Sequence, residues 1–452
     1  MLTALQLKNF KSWREAEVKL APITGFFGTN SSGKSSLLQA LLLMKQSAEN
    51  SDQKQVLEFG NDKSLVNLGS FQDVIWQHET RKTLNLGFSW ERFIPEVTSN
   101  ESSAAPANLR ENIEKSGEID FLAEICQEDK ILFVNYFRYK YNENSSVGII
   151  KRQNHLNPVY YLKSLSSKKF YHFLSPDEIE VLSSDNIKEK GESKTKDDKF
   201  TSRLQQFLDE ALSKLYYLGP IRAFPERFHI WTGAAPSTVG KQGENTIATL
   251  LASRVNGAKV LDTPLEAYIA QKLEQLGLIH GFRLEELKEG SNIFTVRVRR
   301  TPESPEVYLT DVGFGVSQIL PVLVACFSAP EGSTIILEQP ELHLHPSVQS
   351  NLADIFIDAY KTRGVQIILE SHSEHLLRRL QRRMAEEAIT PEDVKLYFCS
   401  LSNGESKLTE LDLDEYGNIR NYPEGFFGDR FEEMAATSEA GMKRRLELVG
   451  DS

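Results

Sequence analysis

Apolar and polar residues alternate over 3–10 and again over 15–20, the period-two pattern of strands with one covered face. "PITGFF" at 22–27 is a compact apolar strand, and the following "SSLLQALLLMKQ" switches to helical spacing. The opening segment thus predicts strand, glycine-rich loop, helix. From about 50 to 215 the texture changes to aromatic, alternating segments such as "LNLGFSW" and "KILFVNYFRY", which predict strands. A polar tract, "SSDNIKEKGESKTKDDK" at 183–199, has the composition of a flexible loop in an inserted region. Helix is expected over 201–215 and 264–278. "YYLGPIRAFPER" at 216–227 predicts a strand leaving through a Gly-Pro turn, and "GFRLEEL" with "NIFTVRVRR" predicts a β-hairpin.

The last third carries the clearest pattern. "GVSQILPVLVACF" predicts a helix, "STIILE" a buried strand, "HPSVQSNLADIFIDAYK" a helix, "VQIILE" a second buried strand and "SEHLLRRLQRRMAEE" a helix. Uninterrupted apolar strands alternating with helices imply a parallel sheet covered on both faces. No internal repeat or sustained heptad pattern occurs, so the long middle of the chain is expected to hold globular insertions and no long coiled coil. The expected fold class is α/β, a mixed sheet flanked by helices with an inserted α+β region. The expected divisions are 1–85, an inserted region over 86–300, a second lobe over 301–400 and an extension over 401–452.

Composition narrows the class without naming a function. The chain has 452 residues, 40% hydrophobic and 25% charged, in the range of ordinary globular proteins. The N-terminus lacks a basic region followed by an apolar stretch, no window suits a membrane span, and no lipidation signal occurs, so a cytoplasmic location without membrane contact is expected. Cys126, Cys326 and Cys399 are far apart, which suggests buried thiols and neither a disulfide framework nor a zinc site. A formal net charge of -11 argues against a generally basic, nucleic-acid-coating surface while leaving room for a local basic face.

"GTNSSGKS", Gly28 to Ser35, fits the phosphate-binding loop G-x-x-x-x-G-K-[ST] and stands between the predicted strand and helix, as its chemistry requires. Gly28 and Gly33 let backbone N–H groups wrap phosphates, with Asn30, Ser31, Ser32 and Ser36 forming the rest of the cradle. Lys34 supplies charge to the terminal phosphates, and the Ser35 hydroxyl can ligate magnesium. The expected ligands are therefore ATP and Mg²⁺. Glu338, ending a buried strand, would hold the metal directly or through water. Glu370 and then His372 stand at the exit of the next buried strand, where ligands bind in parallel sheets, and His372 is expected to sense the terminal phosphate.

Taken in order, "NFKSW", "GTNSSGKSS", "DVGFGVSQ", "EQPELHLHP" and "SHSEHLL" resemble the N-terminal strand, Walker A, signature, Walker B with D-loop, and switch histidine of the ABC-type ATPases of the RecF, Rad50, SMC and OLD group. The resemblance covers roughly 1–80 and 300–400. It implies a P-loop ATPase with an ABC-type head, in which two heads sandwich two ATP molecules and each site is completed by the other head. Gly313, Phe314, Gly315 and Ser317 would contact the partner's nucleotide, and Gln72 or Gln77 would serve as the Q-loop. The ending "DEYGNIRNYPEGFFGD" is similar to a bacterial subgroup that includes phage-defence ATPases of the Septu and PARIS kind. This implies a homo-oligomer switching a separate effector, plausibly a nuclease, with a DNA-binding repair ATPase and a non-hydrolysing scaffold as alternatives. Two positions depart from the pattern. Gly313 replaces the usual signature serine, and Gln339 stands where the catalytic glutamate is expected. Slow turnover is the consequence, with Gln339 orienting water and Glu341 or His372 as the groups able to take its proton.

Other motifs read more plainly. "RRLQRR" at 378–383 predicts a basic helical face met by neighbouring acids, and "RVRR" at 297–300 the outer face of a strand. "LDLDE" at 411–415 suggests the paired acids of a Toprim nuclease, but too little chain follows for such a domain, so no nuclease activity is expected here.

Overall fold

The computed structural model describes residues 1–50, 55–91, 117–142, 145–150 and 206–423, with 438 and 440. The polar tract at 183–199 lies outside the described residues. The predicted opening is present as β1 (Leu2–Phe10), β2 (Trp13–Lys19), β3 (Ile23–Gly28) and the helix α1 (Lys34–Glu49). The aromatic middle supplies β4 (Leu84–Glu91), β5 (Glu118–Glu128), β6 (Ile131–Asn142) and β7 (Ser145–Ile150). These join β1 and β2 in an antiparallel sheet of order β2-β1-β4-β5-β6-β7.

After helical residues 206–213 comes β8 (Leu215–Leu218), so the strand begins where the sequence pattern still predicts helix. Short strands follow, β9 (His229–Ile230), β10 (Lys259–Val260) and β11 (Thr263–Pro264), and then the predicted hairpin of β12 (Gly281–Glu286) and β13 (Ile293–Arg299), flanked by β14 (Val307–Tyr308). The hairpin's arginines are paired along its surface, Arg297 with Glu285 at 3.0 Å and Arg299 with Glu306 at 3.3 Å.

The core sheet is completed by β15 (Thr334–Glu338), β16 (Gln366–Glu370), β17 (Val394–Ser402) and β18 (Glu405–Glu410), in the order β18-β17-β3-β16-β15-β8. All neighbours are parallel except β17 and β18, so the sheet is mixed. β3, β15 and β16 are buried at every position because both their faces are covered, whereas β18 at the margin is largely polar and exposed. Ile335, Leu337, Ile367 and Leu369 pack with the helices Thr246–Asn256, Leu265–Gln275, Phe314–Ser328, Pro346–Arg363 and Glu374–Ala385. Ile336, Ile368, Phe26 and Tyr397 point the other way, into a second cluster shared with α1 and the antiparallel sheet. No described helix exceeds 18 residues, so no long coiled coil is present among the described residues.

Candidate nucleotide site

Parallel alignment brings the carboxyl ends of β3, β16, β15 and β8 to one edge of the sheet, where α/β folds bind ligands. The P-loop leaves β3 there. Gly28 has φ 137°, and a Cβ at that position would stand 2.0 Å from the Cys399 carbonyl oxygen of β17, so only glycine fits. At Gly33, φ 92°, a Cβ would meet Ser406 Oγ at 2.5 Å, and the Gly33 carbonyl accepts a 3.0 Å bond from Trp13 Nε1. The loop is thus clamped from two sides before α1 begins. No side chain caps that helix start, which leaves its N–H groups open to an anion.

The predicted loop residues take distinct places. Asn30 and Ser31 are exposed, Ser31 at φ 61°, while Ser32 is buried and its hydroxyl donates to Thr29 O at 2.8 Å. The Ser36 N–H donates to Gly33 O at 3.1 Å. Lys34 is buried, and its amino group is held by the loop's own carbonyls, Gly28 O at 3.1 Å and Thr29 O at 2.7 Å. Burial lowers its proton affinity, and the nearby Glu370 opposes this.

Next to the loop, Glu338 and Glu370 end adjacent strands at the same register. Tyr217, on β8, donates to Glu338 Oε1 at 3.0 Å. Burial, reinforced by the charge of Glu370, pushes the Glu338 carboxyl up to about 7. Glu370 is raised too, mainly by burial, although the Ser35 hydroxyl and the Gln339 side chain hydrogen-bond to it. A divalent cation suits this edge on chemical grounds. Two buried acids face one another beside the Ser35 hydroxyl, and Glu370 Oε2 has no partner.

Position 339 starts a tight turn. Gln339 has φ 45°, its N–H donates to Glu370 O at 2.9 Å, and its carbonyl accepts from Leu342 N–H at 3.1 Å. The turn folds the Glu341 carboxylate back onto the neighbouring strand's exit, where it accepts the His372 N–H at 2.6 Å. Its Oε2 has no partner, burial raises its proton affinity, and its charge is felt by Lys34. Nε2 of His372 lies 3.9 Å from Glu370 Oε1, and burial together with Lys34 lowers its proton affinity, favouring neutral imidazole.

The edge therefore gathers Lys34, Ser35, Glu338, Gln339, Glu341 and His372. Glu370 was visible in the sequence only as a strand end, while Tyr217 and Arg222 carried no motif. Arg222 reaches the Glu338 carbonyl with Nη2 at 3.4 Å, and only the sheet order places β8 beside β15.

The remaining motifs sit elsewhere. Gly313 caps the helix Phe314–Ser328, and Ser317 is buried, its hydroxyl donating to Phe314 O at 2.7 Å. Phe314 lies 5.3 Å from the His343 ring, and a Cβ at Gly315 would touch Leu344, so this helix start rests on its own chain's loop after Glu341. Gln72 and Gln77 are exposed on the 71–78 turn. The four arginines of 378–383 are paired with Glu374, Asp354 and Glu386. Asp414 fixes a turn by accepting from the N–H groups of Tyr416 and Asn418. None of the three cysteines forms a disulfide, and Cys326 and Cys399 are buried.

A P-loop followed at a distance by a glycine-rich helix start, an acid-ending strand and a histidine-ending strand, arranged about one mixed sheet, has the layout of a P-loop ATPase. The chain belongs to the AAA ATPase domain family, whose model matches residues 1–377. Residues 389–436 match a second family, described as Protein of unknown function (DUF3696). No curated protein matches the chain. Similar solved structures include an SmcHead bound to the C-winged helix domain of ScpA, 11% identical, covering 92% of this chain and 98% of that one with a TM-score of 0.47. An SMC head domain from Thermotoga maritima is 12% identical, with 91% and 99% covered and a TM-score of 0.37. An Smc head with an extended coiled coil from Pyrococcus furiosus, bound to the C-terminal domain of ScpA, is 11% identical, with 91% and 96% covered and a TM-score of 0.45. No described helix is long and apolar enough to cross a membrane.

Proposed function

We propose that the chain binds magnesium-ATP at this edge, hydrolyses it slowly with Glu341 taking the proton of the attacking water, and uses closure of two heads as a switch. The observation that carries the reading is the turn at Gln339, which returns the Glu341 carboxylate to His372 within the field of Lys34. The Gln339 amide can orient water but cannot accept a proton at neutral pH. Glu341 is a carboxylate with one free oxygen and a raised proton affinity, which suits a base working near neutrality. Ser35 and Glu338 would hold magnesium, which when bound neutralises phosphate charge. Lys34 and the open N–H groups of α1 bind the phosphates, and neutral His372 senses the terminal one.

Single-turnover rates test this. Glu341→Gln should lose about 10² to 10⁴ in rate, the usual worth of a general base. Gln339→Glu should speed turnover. A fast wild type indifferent to both changes would overturn the assignment.

Closure is read as the signal to a separate effector, a nuclease of a phage-defence pair, through the resemblance of the 414–429 ending. Co-purification with an ATP-dependent partner tests that step. One observation favours a second reading as a DNA-binding maintenance ATPase. A groove of about 680 Å³ on the antiparallel sheet is lined by Lys8, Arg14, Arg81, Lys82 and Trp76, with the acids Glu15 and Glu124 among them. Duplex binding that weakens steeply with salt and strengthens with ATP would select it.

A further inference from the structure

Between β8 and β9 the segment "GPIRAF", residues 219–224, is buried against its hydropathy. Ile221 and Phe224 are 72% and 82% exposed, whereas Arg222 is only 6% exposed. The backbone imposes this arrangement. Gly219 N–H donates to Lys241 O and Ala223 N–H to Gln242 O, both at 2.8 Å, bracketing Arg222 on either side.

Inside, the guanidinium is poorly served. Its one bond, from Nη2 to the Glu338 carbonyl, is long at 3.4 Å, and Nε and Nη1 are buried without any partner. It makes no ion pair among the described residues, although the charges of Glu338 and Glu341 reach it. The Glu338 carboxylate is already engaged by Tyr217. Burial lowers the guanidinium to about 10, which still leaves it charged at neutral pH. Buried donors almost always find partners, and a buried charge left unmatched is strongly unfavourable. Among the described residues only the long bond to the Glu338 carbonyl and the charges of nearby acids act on this one, and neither occupies Nε or Nη1. An anion would, and a guanidinium fork suits the oxygens of a phosphoryl group better than any other common cation.

Resting on the reading of this edge as a triphosphate site, we propose that Arg222 is a further nucleotide-binding residue, acting within its own head on the terminal phosphoryl group of ATP. Lys34 then approaches the phosphates from β3 and Arg222 from the opposite flank, across β16 and β15. The site would distinguish triphosphate from diphosphate in a single head, before any second head closes.

The test uses the full chain with magnesium and measures affinities for ATPγS and ADP by calorimetry in wild type, Lys34→Ala, Arg222→Met and Arg222→Lys. Arg222→Met should weaken ATPγS about ten- to a hundredfold, the worth of hydrogen bonds to a charged group, and ADP less than about threefold. Arg222→Lys keeps the charge without the fork and should fall between. Equal losses for both nucleotides, or none for either, would overturn the proposal. If the methionine variant fails to fold, the lysine variant carries the same test through its ratio of ATPγS to ADP affinity. Wild-type ATPγS affinity in Lys34→Ala would instead show that the site reading itself has failed, and the role of Arg222 with it.

Discussion

The antiparallel sheet and the core sheet have six strands each and meet in the cluster that surrounds α1, yet they dispose of their polar groups in opposite ways. In the antiparallel sheet, Phe88 on β4 lies between Trp90 and Phe121, with ring centroids 5.1 Å and 6.1 Å away, and Phe121 continues to Tyr139 at 5.1 Å. Those rings pack among aliphatic side chains such as Leu86, Ile119 and Ile125, and the sheet's unpartnered buried atoms among the described residues, Asp120 Oδ1 and Arg138 Nε, belong to one ion pair. The central strands β15 and β16 of the core sheet are apolar but end in Glu338 and Glu370, and unpartnered buried atoms of Arg222, Glu341 and Glu370 collect at that edge. The contrast separates two tasks. One sheet keeps its unpartnered atoms within an ion pair, and the other gathers them at the strand ends beside the P-loop, where under the proposed function a ligand would supply the partners.

Mutations placed in each sheet can break this division. Phe88 is fully buried, and Phe88→Ala should cost about 3 to 5 kcal/mol of stability, read from the denaturant midpoint, while chains that remain folded keep their ATP affinity. A selective loss of ATP affinity there would blur the two roles. Lys34→Ala should do the converse, weakening ATP binding by at least about a hundredfold with little change in melting temperature.

Glu338→Gln sharpens the same point through pH. The folded carboxyl is raised to about 7, above its ordinary range, so the folded chain holds that proton more tightly than the unfolded one. In magnesium-free buffer stability should therefore fall as pH rises from about 4.5 to 7, by about 1 to 3 kcal/mol, and Glu338→Gln should flatten that slope. A steeper slope in the variant would contradict the sign. The smallest effect belongs to the surface of the core sheet. Lys395 and Glu410, paired at 2.6 Å and 33% and 41% exposed, should contribute about 0.5 kcal/mol or less, measured by a double-mutant cycle.

Much of this organisation was readable in the residues, for definite reasons. β15 and β16 are uninterrupted apolar runs because both their faces are covered, and the P-loop is a local motif whose strand, turn and helix follow one another directly. β17 and β18, "VKLYFCSLS" and "ESKLTE", were not assigned, because a strand's place at the flank of β3 depends on partners far away in sequence. Arg222 escaped notice for the same reason. Its meaning comes from β8 lying beside β15, and a lone arginine among prolines and aromatics carries no periodic signal. Glu341 stands two residues beyond the position expected for the catalytic acid, and the left-handed backbone at Gln339, which the sequence pattern does not reveal, turns its carboxylate back.

The packing of Gly28 against the Cys399 carbonyl has a consequence for biosynthesis. The strand that carries the P-loop is made well before its two neighbours, β16 and β17, which emerge some 340 to 370 residues later. At about 5 to 20 residues per second, the loop waits roughly 20 to 70 seconds for the strand that completes its seat. Pairing over such separations is slow to nucleate, and until it happens "ITGFF" is an unpaired, apolar edge open to chaperones. A nascent chain of this protein should thus acquire nucleotide only when synthesis has passed β17, so that occupancy of the loop marks a chain whose core sheet has closed around β3.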